Sequence, residues 1–189
     1  MIQLTILWLL FFITHSGFAA TSAKTFFQDK LKNNFKYYRL IYNGLSLVIM
    51  LWILSVMLHL DTPSVLSDNA LITSFGFDLM LFGFAVLVLT FEHINLLSFF
   101  GLSQKEESAG LITEGVYQYV RHPLYSGLFL ILVGWFLSLP TQSVLLSVVM
   151  SIIYIVIGIE FEEKKLRRIF GEEYVKFALN KKKFIPFVY

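Results

Sequence analysis

Apolar residues in this chain run in five long stretches separated by short polar segments. The stretches cover residues 4–20, 40–60, 71–91, 124–139 and 143–160. Because a helix needs about 17–25 such residues to cross a bilayer, the pattern predicts a polytopic all-α membrane protein with about five transmembrane helices. We treat residues 1–189 as one domain that ends in a cytoplasmic tail over 161–189. The polar break at 138–142 contains Pro140, which is typical of a tight helical hairpin between the last two spans.

The composition excludes an ordinary soluble domain. Apolar residues make up 57% of the chain, charged residues make up 15%, and the mean hydropathy is +0.71. Twenty Phe and nine Tyr are more aromatic surface than a core of this size hides from water. The absence of cysteine excludes a disulfide framework, a thiolate metal site and a Cys nucleophile. The net charge of +2 is too small to indicate nucleic-acid binding.

The basic residues predict the orientation. If the five spans alternate, all fifteen Lys and Arg residues fall on one side of the membrane. By the positive-inside rule that side is cytoplasmic, so we expect the amino terminus outside and the carboxyl terminus in the cytoplasm. Gly17, Ala19 and Ala20 are small residues of the kind found at a signal-peptide cleavage site, but no basic segment precedes the stretch, so we expect it to remain as the first span.

Polar residues concentrate in two segments on the predicted cytoplasmic side, and the first covers 104–127. Gly110 and Gly115 allow backbone conformations that other residues rarely adopt. Pro123 disfavours a helical conformation at His122, so His122 is expected in an extended turn just before the fourth span. The unpaired backbone groups of such a turn favour a ligand pocket, or alternatively an interfacial cap in which Arg121 and His122 reach the headgroups.

The second polar segment follows the fifth span, over 160–174. If that helix continues to Phe170, helical spacing places Glu162 in an apolar stripe and Glu163 on the opposite, charged face, where Glu163 would pair with Arg167. The stripe comprises Ile159, Glu162, Leu166, Ile169 and Phe170, and the charged face comprises Glu160, Glu163, Lys164, Arg167 and Arg168. An inward carboxylate needs a cation or several donors, and Arg121 or a cationic ligand fits that need. The alternative is that the helix ends or rotates near Glu160 and leaves Glu162 in solvent.

Together the two segments resemble the signature of the integral-membrane methyltransferases that include isoprenylcysteine carboxyl methyltransferase and the phospholipid methyltransferases. The matching positions are a Gly-x-Tyr, an Arg-His-Pro-x-Tyr-x-Gly before the hairpin, a Glu-Glu pair with a following Leu, and an aromatic-Gly-x-x-Tyr. Here these are Gly115 and Tyr117; Arg121, His122, Pro123, Tyr125 and Gly127; Glu162, Glu163 and Leu166; and Phe170, Gly171 and Tyr174. The resemblance covers 104–174, and the first three spans match mainly by hydropathy.

The resemblance implies an enzyme that binds S-adenosylmethionine from the cytosolic side. Carried over by position, its cofactor contacts are Gln104, Ala109, Gly110, Leu111, Ile112, Tyr117, His122, Pro123, Tyr125 and Glu162. Glu162 suits the ammonium or ribose hydroxyls of that molecule, and Arg121 or His122 suits its carboxylate. We also expect Arg121 and His122 to act in catalysis, with His122 as the candidate base for a thiol acceptor.

The methyl acceptor is predicted from one position at which this chain differs from the carboxyl methyltransferases. In the carboxyl methyltransferases an Arg four residues before the matched Glu binds the substrate carboxylate, and Gly158 stands there in this chain. Residues 95–104, 154–163 and 38–43, with His15 and Ser16, are similar to the bacterial methanethiol S-methyltransferase branch. The resemblance therefore favours S-methylation of a small thiol. Carboxyl methylation of prenylcysteine, N-methylation of a phospholipid amine and a non-catalytic scaffold or transporter subunit are the alternatives.

Other charged residues have two interpretations each. Asp78 within the third span, with Glu92 and His93 at its end, indicates either a functional group near the acceptor or pairing with a hydroxyl of a neighbouring span. The basic run at 181–183 predicts a topology determinant that contacts lipid headgroups. Membrane lipids and a small thiol or lipophilic substrate are the expected partners.

Overall fold

The computed structural model describes residues 1–94, 96–97 and 110–185, and their regular structure is helical. The chain forms two compact units: the first comprises Met1–Thr62 with Asn95–Glu107, and the second comprises Pro63–Ile94 with Ser108–Tyr189. The first unit contains α1 (Ile2–Ala19), α2 (Thr21–Leu31), a 3₁₀ helix (Lys32–Tyr37) and α3 (Tyr38–His59). The second contains α4 (Ala70–Phe91), a 3₁₀ helix (Gly115–Gln118), α5 (Pro123–Ser138), α6 (Gln142–Phe170) and α7 (Glu172–Leu179).

Within the described part of the chain, four helical segments are long and apolar enough to cross a membrane: Ile2–Ala19, Thr21–His59, Ala70–Phe91 and Gln142–Phe170. The predicted all-α polytopic fold is confirmed. The fourth predicted span corresponds to α5, which is apolar but only 16 residues long. Because seven of the nine residues 160–168 are charged, the last turns of α6 lie beyond its membrane-spanning part.

The first unit is built from side chains that α1 and α3 bury. Leu4, Leu7 and Trp8 of α1 and Ile49 and Ile53 of α3 form its buried apolar set. A side-chain polar contact joins the helices, since Nδ1 of His15 lies 3.0 Å from Oγ of Ser46. A hydrogen bond of 2.8 Å from the Tyr38 hydroxyl to the Phe18 carbonyl ties the start of α3 to the end of α1.

The second unit is organised by backbone contact between α4 and α5. Gly76 and Gly83 lie seven residues apart on α4, and Gly127 and Gly134 have the same spacing on α5. A Cβ atom added to Gly134 would lie 2.5 Å from the Gly76 carbonyl oxygen, and one added to Gly83 would lie 2.7 Å from that of Gly127. Such contact requires glycine, as is common where membrane helices approach closely.

The predicted hairpin between the last two spans is confirmed. α5 ends at Ser138, α6 begins at Gln142, and the Thr141 side chain caps α6 by accepting a hydrogen bond from the Val144 amide. At the opposite end of the hairpin, Ile155 and Ile159 of α6 pack with the buried Phe184 of the carboxyl-terminal segment. This end contains the residues of the predicted site.

Candidate functional site

The approach to the site is a 3₁₀ turn that requires glycine at its first residue. Gly115 has φ +61°, and a Cβ atom there would lie 2.1 Å from Nε2 of His93 at the end of α4. The turn places the Tyr117 ring edge-to-face with His93, with 6.4 Å between the ring centroids. The prediction for Gly115 is confirmed, whereas Gly110 does not have a positive φ.

His122 occupies the extended turn that its neighbour Pro123 predicts. Its φ of −128° and ψ of 67° lie outside the helical region, and Pro123 begins α5. Protein oxygens accept the backbone hydrogen bonds of this turn, since the amides of Arg121 and His122 donate to the carbonyls of Lys182 and Lys183 at 2.9 Å. The turn therefore needs no ligand to satisfy these donors.

Glu163 is the buried carboxylate of the site, with 4% of its surface exposed. Its Oε1 accepts hydrogen bonds from Nε2 of His122 at 2.9 Å and from the Tyr174 hydroxyl at 2.7 Å. Nε of Arg121 lies 3.0 Å from the same oxygen, outside hydrogen-bonding angles, while its Nη1 donates to the Ala178 carbonyl at 3.0 Å. Two side chains from the turn before α5 and one from α7 therefore converge on one residue of α6.

These partners determine how the groups titrate. Burial alone would raise the pKa of Glu163, but the hydrogen bonds from Tyr174 and His122, with the Arg121 charge, lower that pKa below its ordinary value of 4.5. Burial, followed by the hydrogen bond to Glu163, raises the pKa of Tyr174. Burial and the nearby Glu162 charge raise the pKa of Tyr117 to about 12. Glu163 is thus an anion at neutral pH, and both tyrosines are neutral.

The prediction that Glu162 is the buried acidic residue and Glu163 the outward one was wrong. Ile155, Ile159 and Glu163 follow each other at intervals of four along the buried face of α6, so the face is rotated by one residue from the predicted stripe. Glu163 tolerates burial because Arg121, His122 and Tyr174 supply its donors, and Arg121 therefore pairs with Glu163 and not with Glu162. The predicted Glu163–Arg167 pair is present, at 3.7 Å.

Glu162 lies beside the buried group with 43% of its side chain exposed. Its Oε2 is 3.8 Å from Nδ1 of His122, and its carboxylate lies near the Tyr125 hydroxyl. One turn earlier, a Cβ atom on Gly158 would meet nothing closer than the same hydroxyl, at 3.8 Å. An accessible carboxylate, a tyrosine hydroxyl and space for a side chain therefore adjoin the second nitrogen of His122.

Part of the predicted cofactor set comes together here. Tyr117, His122, Pro123, Tyr125 and Glu162 belong to this end of the second unit, and their cofactor contacts stay predictions. Gly110 is exposed, Leu111 and Ile112 are half-buried, and Gln104 and Ala109 lie outside the described residues. The catalytic roles of Arg121 and His122 also stay predictions.

Sequence reasoning missed three contributors: Glu163 as the shared acceptor, Tyr174 as its donor, and the tail carbonyls. Tyr174 is buried at 1% exposure. The aromatic-Gly-x-x-Tyr spacing was a usable signal, since Gly171 with φ +55° ends α6 and turns the chain so that α7 returns Tyr174 to Glu163. The carbonyls of the carboxyl-terminal segment could not be found in this way, because a backbone carbonyl is present at every residue and has no sequence motif.

The remaining polar features lie elsewhere. Asp78 is exposed on α4, and both interpretations of it stay predictions. A cavity of about 190 Å³ lies at the Pro140 end, lined by residues that include Asp68, Asn69 and Thr141, and none of the predicted site residues lines it. Over 1–94, 96–97 and 110–185, no cluster of His, Asp and Glu could hold a metal ion.

Comparison with known proteins gives consistent matches. The family model for phospholipid methyltransferase matches residues 71–173, more than half of the chain. The chain is 33% identical over 129 residues to methanethiol S-methyltransferase of Crocosphaera subtropica, covering 64% of this chain and 50% of the relative. It is 29% identical over 192 residues to methanethiol S-methyltransferase 1 of Bradyrhizobium diazoefficiens, covering 94% and 64%.

A third relative, protein-S-isoprenylcysteine O-methyltransferase B of Arabidopsis thaliana, is 40% identical over 92 residues, covering 45% of this chain and 44% of the relative. The chain thus spans about half the length of the curated relatives that it matches. No solved structure gives a significant match. The matched region runs from α4 through the Arg121–His122 turn to the Glu162–Glu163 pair, and the chain belongs to the phospholipid methyltransferase family.

Proposed function

We propose that this protein transfers a methyl group from S-adenosylmethionine to a small acceptor, and that the acceptor is a thiol. The observation that supports this most directly is the half-exposed Glu162 beside Nδ1 of His122 and the Tyr125 hydroxyl, in a family of methyltransferases. By the positive-inside rule, we assign this end of the second unit to the cytosolic side of the membrane and the amino terminus to the outside.

The residues fit the chemistry of that cofactor. Its ammonium and ribose hydroxyls need an anionic acceptor, and Glu162 offers a carboxylate that is only half-buried. Tyr117, Tyr125 and Pro123 provide the adjoining apolar surfaces, and Gly110, Leu111, Ile112, Ala109 and Gln104 complete the set that we assign to it. S-adenosylmethionine, when bound, supplies an electrophilic methyl group.

His122 is assigned as the base for the thiol. The Glu163 carboxylate accepts hydrogen bonds and donates none, so neutral His122 has its proton on Nε2, which leaves a lone pair on Nδ1. Nδ1 faces Glu162, the accessible side of the site. A thiol has a reference pKa of about 8.5, so a base that takes its proton increases the reactive thiolate at neutral pH. We assign Arg121 a supporting part, since its guanidinium lies against Glu163 and the Ala178 carbonyl.

Gly158 favours a small, uncharged acceptor. A side chain at this position would point into the space next to the Tyr125 hydroxyl, where a cation would bind a substrate carboxylate. The similarity to two methanethiol S-methyltransferases agrees with a thiol. Methylation of an isoprenylcysteine carboxyl group is the second candidate, because the 40% identity to the Arabidopsis relative falls in the matched region.

The test combines ligand binding with methyl transfer. Purified protein in detergent should be stabilised against heat by S-adenosylhomocysteine, because a ligand that binds the native state raises the melting temperature. Glu162→Gln should abolish that shift, whereas Glu172→Gln, at an exposed glutamate of α7, should keep it. An unchanged melting temperature for the wild type at saturating ligand would indicate a scaffold or transporter subunit.

The acceptor is identified with labelled S-adenosylmethionine and three substrates: a small thiol, a prenylcysteine analogue and phosphatidylethanolamine. We expect labelled thioether from the thiol. Gly158→Arg should lower that activity and improve use of the prenylcysteine carboxylate. Efficient methyl ester formation by the wild type would contradict the assignment of a thiol.

A further inference from the structure

We propose that residues 181–185, here termed the C-terminal strap, position Arg121 and His122 for cofactor binding and methyl transfer. The strap lies alongside the turn before α5, where Lys182 and Val120 form a parallel β-bridge. Its carbonyls at Lys182 and Lys183 accept the amide hydrogen bonds of Arg121 and His122, both at 2.9 Å. These donors immediately precede α5 and have no helical partner of their own.

An apolar side chain anchors the strap. Phe184 is 3% exposed and packs with Ile155 and Ile159 of α6 and edge-on against Phe129 of α5, with 5.7 Å between the ring centroids. Its carbonyl accepts a hydrogen bond from the Ser126 hydroxyl in the first turn of α5. The anchor therefore attaches the strap to the same helix that begins after His122.

Two lysine side chains hold the strap on the amino-terminal side of the anchor. Lys181 donates from Nζ to the Gln118 carbonyl at 2.7 Å, and Lys183 forms an ion pair with Glu160 of α6. Just before the strap, the Ala178 carbonyl accepts a hydrogen bond from Nη1 of Arg121. Both the backbone and the guanidinium of Arg121 are thus fixed by the carboxyl-terminal part of the chain.

The strap acts through Arg121 and His122. A shift of this turn changes the direction of Nδ1 of His122, and misplacement by about 1 Å can reduce a reaction rate by about 100-fold. The inference rests on the proposed function, because the cofactor and acceptor are those proposed above. The strap's hold on the turn is measurable without either of them.

The experiment compares three variants of the strap. Phe184→Ala removes the apolar anchor, and Phe184→Leu keeps an apolar side chain at that position. Lys182→Ala is the matched control. Lys182 is exposed and contributes its carbonyl to the turn, which the alanine variant retains. Ser126→Ala removes the hydroxyl bond to the Phe184 carbonyl, together with the longer bond of 3.3 Å to the His122 carbonyl, and serves if Phe184→Ala fails to fold. The first readout is amide hydrogen exchange of Arg121 and His122, and the second is the affinity for S-adenosylhomocysteine with the kcat and KM of methyl transfer.

We expect Phe184→Ala to lose exchange protection at both amides and to weaken S-adenosylhomocysteine binding by about tenfold to 100-fold, with a lower kcat. Phe184→Leu should recover most of both, and Lys182→Ala should match the wild type. Lost protection with wild-type affinity and kcat would overturn the positioning role, and unchanged protection would overturn the strap's hold on the turn. If the wild type binds no S-adenosylhomocysteine, the proposed function fails while hydrogen exchange still tests that hold.

Discussion

Two regions of the second unit are held together in opposite ways: the contact between α4 and α5, and the group of side chains around Glu163. Gly76, Gly83, Gly127 and Gly134 bring two helix backbones into contact because they have no side chains. Around Glu163, long polar side chains of Arg121, His122 and Tyr174 converge on one carboxylate. A side chain added at one of these glycines would therefore destabilise the contact between α4 and α5. Around Glu163, by contrast, the loss of a side-chain group would destabilise the fold.

The difference predicts which substitutions each region tolerates. A backbone contact fails gradually, because two helices can separate by a fraction of an ångström at moderate cost. A buried charge group fails abruptly, because the loss of Glu163 leaves the Arg121 guanidinium desolvated without its counterion. The following predictions compare these two responses.

The largest effect is expected for Glu163→Ala. This change leaves Arg121 and His122 buried without their acceptor, so we expect a loss of about 3–5 kcal/mol in the free energy of unfolding, measured by denaturant titration in micelles. Glu162→Ala, one residue earlier and half-exposed, should change stability little while affecting ligand binding. Equal losses of stability for the two variants would contradict the difference in burial.

Acid should weaken the Glu163 group before it affects the glycine contacts. The pKa of Glu163 is lowered in the folded state, so its stabilisation is fully present above its ordinary value of 4.5 and is lost as pH falls through the lowered pKa. The measurement is the melting temperature between pH 7 and pH 3.

Tyr174→Phe sharpens the acid prediction. The variant removes the hydroxyl that donates to Glu163, so the pKa of Glu163 should move back towards 4.5. Stability at pH 7 should therefore be lower, and its further decline in acid should be smaller than in the wild type. A steeper decline than in the wild type would show that another group controls acid sensitivity.

Gly134→Ala should have an intermediate effect. The new Cβ would lie 2.5 Å from the Gly76 carbonyl oxygen, so α4 and α5 must separate, at an expected cost of about 1–3 kcal/mol. Gly44→Ala in α3, where a Cβ would meet no atom within 4 Å, is the control and should be neutral or slightly stabilising. Denaturant titration that shows no difference between the two would exclude the backbone contact.

The smallest effect is expected for His15→Ala. Its contact with Ser46 joins α1 and α3 through one polar pair, and such pairs between membrane helices average about 0.6 kcal/mol. Denaturant titration should resolve a loss of that size. A loss as large as that for Glu163→Ala would show that the first unit also depends on a buried polar group.

The features that the sequence predicts well are those determined by neighbouring residues. Pro123 directly restricts the backbone of His122, and a glycine at position 115 allows the positive φ that is found there. Pro140 lies in the break between α5 and α6. Apolar runs likewise locate the helices, although α6 continues past Glu160 because charged residues extend it beyond the membrane.

The choice between Glu162 and Glu163 could not be made from local pattern. Successive residues differ by about 100° around a helix, so the buried one depends on where Arg121, His122 and Tyr174 lie in space. The strap was missed for a different reason, since its carbonyls belong to the backbone and are the same for any sequence.

The contacts of the strap lysines affect how strongly the second unit attracts anionic lipid headgroups. Lys181 and Lys183 direct their ammonium groups at protein oxygens, and Arg121 has Glu163 as its counterion. Each charge near an anionic surface is worth about 1 kcal/mol. Lys183 and Arg121 have carboxylate counterions and therefore attract acidic headgroups less than the formal count suggests, whereas Lys181 keeps its charge because its carbonyl partner is neutral. Adhesion of this unit to anionic bilayers should therefore respond less to ionic strength than the formal charges of Arg121 and the basic run at 181–183 suggest.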